Sequence, residues 1–164
     1  MHKDNVGKIL ERDPLIRTIQ ELKQAGQKIV FTNGCFDILH PGHISYLREA
    51  RSLGDALVVG VNSDRSVREL KGPQRPILSE LERCLLLSGL ESVSFVTVFD
   101  EPTPLALIQS VLPNVLVKGG DWNVTDIVGR EEVEASGGIV TSLPYESGHS
   151  TSGIVERILS RYRH

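Results

Sequence analysis

Apolar and polar positions alternate between two periods along the chain. After Asp13-Pro14, which reads as an N-cap and a first helical position, Leu15, Ile16, Ile19 and Leu22 recur at helical spacing, and Gly26 marks the stop. A short buried strand is expected over 28–33, ending in a Thr32-Asn33-Gly34 turn, and a helix at 43–53 carries Ile44, Leu47 and Ala50 before Gly54. The run Asp55-Ala56-Leu57-Val58-Val59-Gly60-Val61-Asn62 is apolar almost throughout, which suits a strand covered on both faces of a parallel sheet. A short helix at 64–70 and a loop across Lys71-Gly72-Pro73-Gln74-Arg75-Pro76 come next. Ser79-Glu80-Leu81-Glu82 is a capping-box pattern for a helix carrying Leu81, Leu85, Leu86 and Leu90.

Strands at 93–98, 115–118 and 139–143 are then separated by helices at 105–111 and 126–136. Thr103 and Pro104 read as N-cap and first position of the former, and Gly137-Gly138 stops the latter. Ser150 caps a terminal helix at 151–161 with Ile154, Val155, Ile158 and Leu159 as its apolar face. Five strands alternating with helices demand crossover connections, hence an α/β domain: one doubly wound parallel sheet with helices on both faces. Residues 1–12 are polar and are expected to form a loose arm or short helix ahead of a single domain at 13–164.

At 164 residues the chain can bury a full core, and 40% hydrophobic with 24% charged residues is ordinary for a globular protein. A net charge of −3 argues against nucleic acid as a partner, and no apolar run reaches the length needed for membrane insertion. The N-terminus shows no signal-peptide core, and Cys35 and Cys84 fit neither disulfide nor zinc spacing, so a reduced cytoplasmic setting is expected.

Candidate chemistry gathers at strand ends. Thr32-Asn33-Gly34, Asn62-Ser63-Asp64, Lys118-Gly119-Gly120-Asp121 and the run into Ser150 each follow a predicted strand, and ligands of open parallel sheets bind at the carboxyl ends of the strands. Residues 31–43 combine a strand, a small-residue turn, a loop with two histidines and a helix start, an arrangement that suits a phosphate.

Gly34-Cys35-Phe36-Asp37-Ile38-Leu39-His40-Pro41-Gly42-His43 resembles the GxFDxxHxGH signature of the cytidylyltransferase-like nucleotidyltransferases, and Gly148-His149-Ser150-Thr151-Ser152 resembles their C-terminal motif. Phe31-Thr32-Asn33-Gly34, Val59-Gly60-Val61-Asn62-Ser63-Asp64, Lys71-Gly72-Pro73 with Arg75-Pro76, Phe99-Asp100-Glu101-Pro102-Thr103-Pro104 and Val115-Leu116-Val117-Lys118-Gly119-Gly120-Asp121 are together similar to the heptose-phosphate adenylyltransferase family, across about residues 13–160. That resemblance implies a Rossmann-like fold and transfer of AMP from ATP to D-glycero-β-D-manno-heptose 1-phosphate. The products would be ADP-heptose and pyrophosphate, for lipopolysaccharide core synthesis. A cytidylyltransferase acting on a substrate such as glycerol 3-phosphate, or a non-catalytic nucleotide sensor, are the competing readings.

The resemblance implies roles for individual residues. His40 and His43 hold phosphates as donors, and Lys71 closes over the site from its loop. Thr32, Asn33 and Gly34 hold the α- and β-phosphates through backbone N–H groups, and Phe36 and Gly42 belong to the same nucleotide-binding signature. Ser150, Thr151 and Ser152 bind the β- and γ-phosphates. Asp37 orients its own loop or a histidine, Lys118 beside Gly119 binds phosphate or pairs with Asp121, and Asp121 takes a ribose hydroxyl, the sugar or Mg²⁺. Asn62, Asp64, Arg75, Arg83 and Trp122 are the sugar-pocket candidates, and Cys35 fills space in its loop. Mg²⁺ accompanies ATP, with no dedicated protein metal site, and a homodimer follows from family habit. Many relatives carry Arg-Thr where this chain has Tyr145-Glu146-Ser147, which leaves Lys71, Arg75 or Arg83 to supply the missing charge.

Overall fold

The computed structural model describes residues 7–120, 122–144 and 148–162. Five parallel strands, β1 (Ile29–Gly34), β2 (Ala56–Asn62), β3 (Phe95–Phe99), β4 (Val115–Gly119) and β5 (Ile139–Leu143), lie in the order β3-β2-β1-β4-β5. The helices are α1 (Arg12–Gln24), α2 (Pro41–Ser52), α3 (Asp64–Lys71), α4 (Glu80–Ser88), α5 (Leu105–Val111), α6 (Arg130–Ala135) and α7 (Thr151–Tyr162). This is the doubly wound α/β sheet expected from the alternating periods.

Side-chain alternation along the strands divides the core in two. Val30, Leu57, Val59 and Val61 pack with Tyr46, Leu47 and Ala50 of α2 and with Cys84 and Leu87 of α4. Ile29, Phe31, Ala56 and Val58 pack on the other face with Leu15 and Ile19 of α1, Leu107 and Ile108 of α5, and Val133 of α6. β2 is buried along its whole length, which explains its unbroken apolar run.

Strand order reverses between β1 and β4, so the ligand crevice of such a sheet falls there. β1 pairs with β2 from Ile29 through Gly34 but with β4 only at Val30 and Phe31. Beyond those two residues Tyr46 of α2 fills the split. Its hydroxyl is 2.6 Å from Thr32 Oγ1 and 3.5 Å from the Val117 carbonyl.

Several boundaries differ from the sequence expectation. Thr32-Asn33-Gly34 is not a turn but the end of β1, in register with Val59, Gly60 and Val61. α1 starts at Arg12 with Glu11 as N-cap, because Pro14 within the first turn gives up no intrahelical bond. α2 begins at Pro41, with His40 as N-cap, so His43 lies in its first turn. Pro104, not Thr103, is the N-cap of α5. Lys71 is the last residue of α3 rather than part of the loop. The helix expected at 126–136 is broken into a 3₁₀ turn, Val124–Asp126, and α6, because Gly129 between them adopts φ +86° hard against Ile108.

The capping box is present at Ser79 and Glu82, yet α4 is turned so that Arg83, Cys84 and Leu87 are buried while Leu81, Leu85 and Leu86 face outward. α7 likewise buries none of its residues, and Ile158 and Leu159 stay exposed. Residues 8–10, the described end of the expected arm, run beside β3: the Leu10 amide donates to the Val96 carbonyl and the Val96 amide to that of Lys8. No helix among the described residues is long and apolar enough to cross a membrane.

Candidate active site

The loop leaving β1 is held in a strained path. Phe36 (φ +50°) and Ile38 (φ +56°) both occupy the left-handed region, which costs a non-glycine residue roughly 1–3 kcal/mol and persists only where surroundings over-determine it. The Phe36 ring is buried, 5.4 Å from the His43 ring. Gly34 makes room for it, since a Cβ there would lie 3.1 Å from that ring.

Asp37 is the loop's main anchor. Its buried carboxylate accepts from Arg75 Nε (2.7 Å) and from the Ile77 (2.8 Å) and Leu78 (3.0 Å) amides. Burial alone would raise the Asp37 carboxyl; the two amides and the guanidinium outweigh it and hold it below the usual carboxylate range. Asp37 therefore ties its own loop to the 75–78 segment, and among the described residues its carboxylate bonds to no histidine. Its carbonyl accepts from the Thr151 hydroxyl, which ties the start of α7 to the same loop.

His40 and His43 lie one helical turn apart, and their rings stack with centroids 3.8 Å apart and planes inclined by 21°. Burial, then the charge of His149, lowers the His40 imidazole from its ordinary value; burial, then the charge of His40, pushes His43 down to about 4. Both rings are thus neutral at pH 7. The Nδ1 atoms of both are buried without a hydrogen-bond partner among the described residues. A buried donor or acceptor left unpaired costs about 1–3 kcal/mol, and a ligand that satisfies it recovers that cost. Gly42 sits beneath them: a Cβ there would lie 3.2 Å from the His40 ring and 3.3 Å from His149 Cβ.

Ser150 and Ser152 are exposed at the N-terminus of α7, where Ser150 Oγ accepts the Gly153 amide at 3.0 Å. Ser150 is thus the cap expected from the sequence. The N-termini of two twelve-residue helices, α2 and α7, meet at His40 and His149, and both present positive dipole ends there.

A second group of charges surrounds Cys35. Burial raises its thiol above the ordinary value although Lys71, Arg83, Arg75 and Lys118 all pull it down, so the thiol stays protonated. That fits a loop filler better than a nucleophile. Burial, then Lys71, lowers the Lys118 ammonium. Lys118 Nζ stands 5.8 Å from the half-exposed Trp122 ring, and the two line a cleft of about 90 Å³ with Asn33 and Pro104. Lys71 and Lys118 form no ion pair among the described residues.

Several candidates are committed elsewhere. The Thr32 side chain is buried against Tyr46. Asn62 donates to Ser66 Oγ at 3.0 Å. Arg83 is fully buried, neither exposed nor free for a sugar: it donates to Asp64 (2.8 Å), the Cys35 carbonyl (2.6 Å) and the Leu78 carbonyl (3.1 Å). Three segments around the site converge on that guanidinium. Asp64 pairs with it while keeping a quarter of its side chain exposed (27%). Asp121 and Tyr145-Glu146-Ser147 lie outside the described residues. Sequence reasoning left His149 without a role and missed the buried state of Arg83; the signals were a histidine next to the Ser150 cap and an arginine four residues after Ser79.

Among the described residues no three His, Cys, Asp or Glu side chains are grouped to hold a metal, and the Asp37 carboxylate is already satisfied.

Residues 31–157 match the cytidylyltransferase-like family. The chain is 51% identical over 160 residues to the bifunctional protein HldE of Citrifermentans bemidjiense and 50% identical over 161 residues to that of Pelobacter propionicus. Each match covers 98% of this chain and 33% of the relative, so the chain spans about a third of the length of these curated relatives. Among solved structures it is similar to a lipopolysaccharide core biosynthesis protein from Thermoplasma volcanium, with 32% identity and a TM-score of 0.61 over 74% of this chain and 98% of that one.

Proposed function

The chain belongs to the cytidylyltransferase-like family, and from that premise we propose that it transfers AMP from ATP to D-glycero-β-D-manno-heptose 1-phosphate, releasing pyrophosphate and ADP-heptose. The observation that carries the reading is the stacked His40–His43 pair, with its unpartnered Nδ1 atoms, beside the tied-in start of α7. The identity to HldE proteins and the likeness to a lipopolysaccharide core biosynthesis protein support the heptose substrate.

A sugar-phosphate oxygen attacks the α-phosphorus in line, and the bond to the bridging oxygen of pyrophosphate breaks with its electron pair. The nucleophile is an anion already, so no side chain has to remove a proton. Positioning and charge stabilisation supply the rate. His40 and His43, neutral and preorganised, donate N–H groups to the α-phosphate oxygens. Ser150, Ser152 and the α7 amides take the β- and γ-phosphates. Lys71 and Lys118, both without a carboxylate partner among the described residues, neutralise the phosphates from the opposite wall. Arg75, whose side chain is held only through Nε among the described residues, keeps its terminal N–H groups for the sugar phosphate. Asn33 flanks the nucleotide, and Trp122 and Asp64 the sugar side. The reaction takes place in the cytoplasm, with Mg²⁺ carried on ATP.

The test is pyrophosphate release across ATP, CTP, GTP and UTP with heptose 1-phosphate, glucose 1-phosphate and glycerol 3-phosphate as acceptors. Turnover is expected with ATP and heptose 1-phosphate. Preference for CTP, or for glycerol 3-phosphate, would overturn the reading. ATP binding without turnover on any acceptor would leave a nucleotide sensor.

A further inference from the structure

Three imidazoles, not two, line the meeting point of α2 and α7. His43, His40 and His149 form a column with nearly parallel rings: the inner pair is 3.8 Å apart at 21°, the outer pair 6.3 Å apart at 20°. We propose that His149 is a further catalytic residue, the outer end of this column, which donates a hydrogen bond to the pyrophosphate as it leaves.

The column has a direction. His40 is buried and His43 half-buried, whereas His149 is exposed at the mouth, immediately before the Ser150 cap. The Nδ1 atoms of the inner rings are buried and lack hydrogen-bond partners among the described residues. Gly42 lets the two helix starts approach until His149 Cβ lies within 3.3 Å of where a side chain on Gly42 would begin. A triphosphate whose α-phosphate meets His40 and His43 and whose tail meets the α7 amides must pass the His149 ring.

This inference rests on the adenylyl-transfer reading. In that step the oxygen–phosphorus bond to the acceptor forms as the bond from the α-phosphorus to the bridging oxygen breaks. The electron pair leaves on pyrophosphate, where negative charge grows. A donor at the mouth meets that charge, while the inner pair meets the α-phosphate.

The test compares wild type, His149→Ala and His149→Phe in calorimetric titration with inorganic pyrophosphate and in steady-state turnover. Phenylalanine keeps an aromatic ring against His40 but has no N–H. Both variants are expected to bind pyrophosphate about tenfold more weakly and to lose about tenfold in kcat with little change in the KM of the sugar phosphate. Wild-type behaviour in His149→Phe would make the ring a packing element only and overturn the proposal, as would unchanged affinity and turnover in both variants. Failure of the wild type to adenylylate any sugar phosphate would defeat the functional reading instead. The pyrophosphate titrations would still decide whether His149 meets that anion.

Discussion

The His40 and His43 rings stack with centroids 3.8 Å apart, and neither Nδ1 has a hydrogen-bond partner among the described residues. Two neutral donors held that close form a preorganised site that acts when charge builds on the α-phosphate. His43→Ala is therefore expected to lower kcat by about 10²–10³ while ATP affinity changes by no more than about threefold. Equal losses in turnover and in ATP affinity, measured by pre-steady-state and equilibrium titration, would reduce His43 to a binding group.

The same burial makes stability depend on pH. With its folded-state value about 4 against an ordinary 6.5, His43 takes up its proton in the unfolded chain first, so unfolding binds protons between those values. Stability is complete above about pH 6.5 and falls as the pH drops toward 4, with His40 acting in the same direction. The loss from His43 has an upper bound of about 3 kcal/mol. Asp37, whose carboxyl is held low, adds a second loss only below the ordinary carboxylate range, as its proton displaces Arg75 and two amides. Denaturant titrations at pH 7.5, 6, 5 and 4 should show a shallower decline for His43→Asn than for wild type. Identical slopes would mean that His43 is not held neutral.

Gly42→Ala separates function from stability. Alanine is the better helix former by about 1 kcal/mol, so the first turn of α2 should not suffer from it. Its Cβ, however, would press on the His40 ring and on His149 Cβ at 3.2–3.3 Å. The expected variant melts within a few degrees of wild type and turns over at least about tenfold more slowly. Full activity with an unchanged melting temperature would show that the rings have room to shift at no cost.

How much of this was legible in the sequence depended on which force placed each residue. The five strands and most helices could be read because apolar period, proline and glycine punctuation and the Ser79–Glu82 box agree with one another. The places of His40, His43 and Ser150 at helix starts were legible because a local signature carries them. Arg83 was not, since local amphipathicity makes Leu81, Leu85 and Leu86 the natural core face of α4. The helix instead turns its arginine inward, where three acceptors from three segments outweigh the leucines. Thr32 was misread for a related reason: a Thr-Asn-Gly triplet carries turn chemistry, but pairing with β2 keeps it extended. The His149 ring comes near His40 only because the start of α7 is brought to the β1–α2 loop, a contact that no local pattern encodes.

Arg83 gives the most direct test of how the site is held in shape. Its guanidinium joins the β1–α2 loop at the Cys35 carbonyl, the start of α3 at Asp64 and the turn before α4 at the Leu78 carbonyl. Methionine fills similar volume but leaves a carboxylate and two carbonyls without donors; removing one partner of a buried pair costs roughly 3–5 kcal/mol. Because Asp64 remains partly exposed, the low end of that range, about 3 kcal/mol, is expected for Arg83→Met. Lysine restores the charge but cannot fork to three acceptors, so Arg83→Lys should recover less than half of the loss. Adding Asp64→Asn to Arg83→Met removes the stranded carboxylate and should return about 1 kcal/mol, a coupling that a mere volume defect would not produce. Denaturant unfolding of the four proteins measures each step. If Arg83→Met were within about 0.5 kcal/mol of wild type, the three loops would be held by their own contacts and not by this side chain.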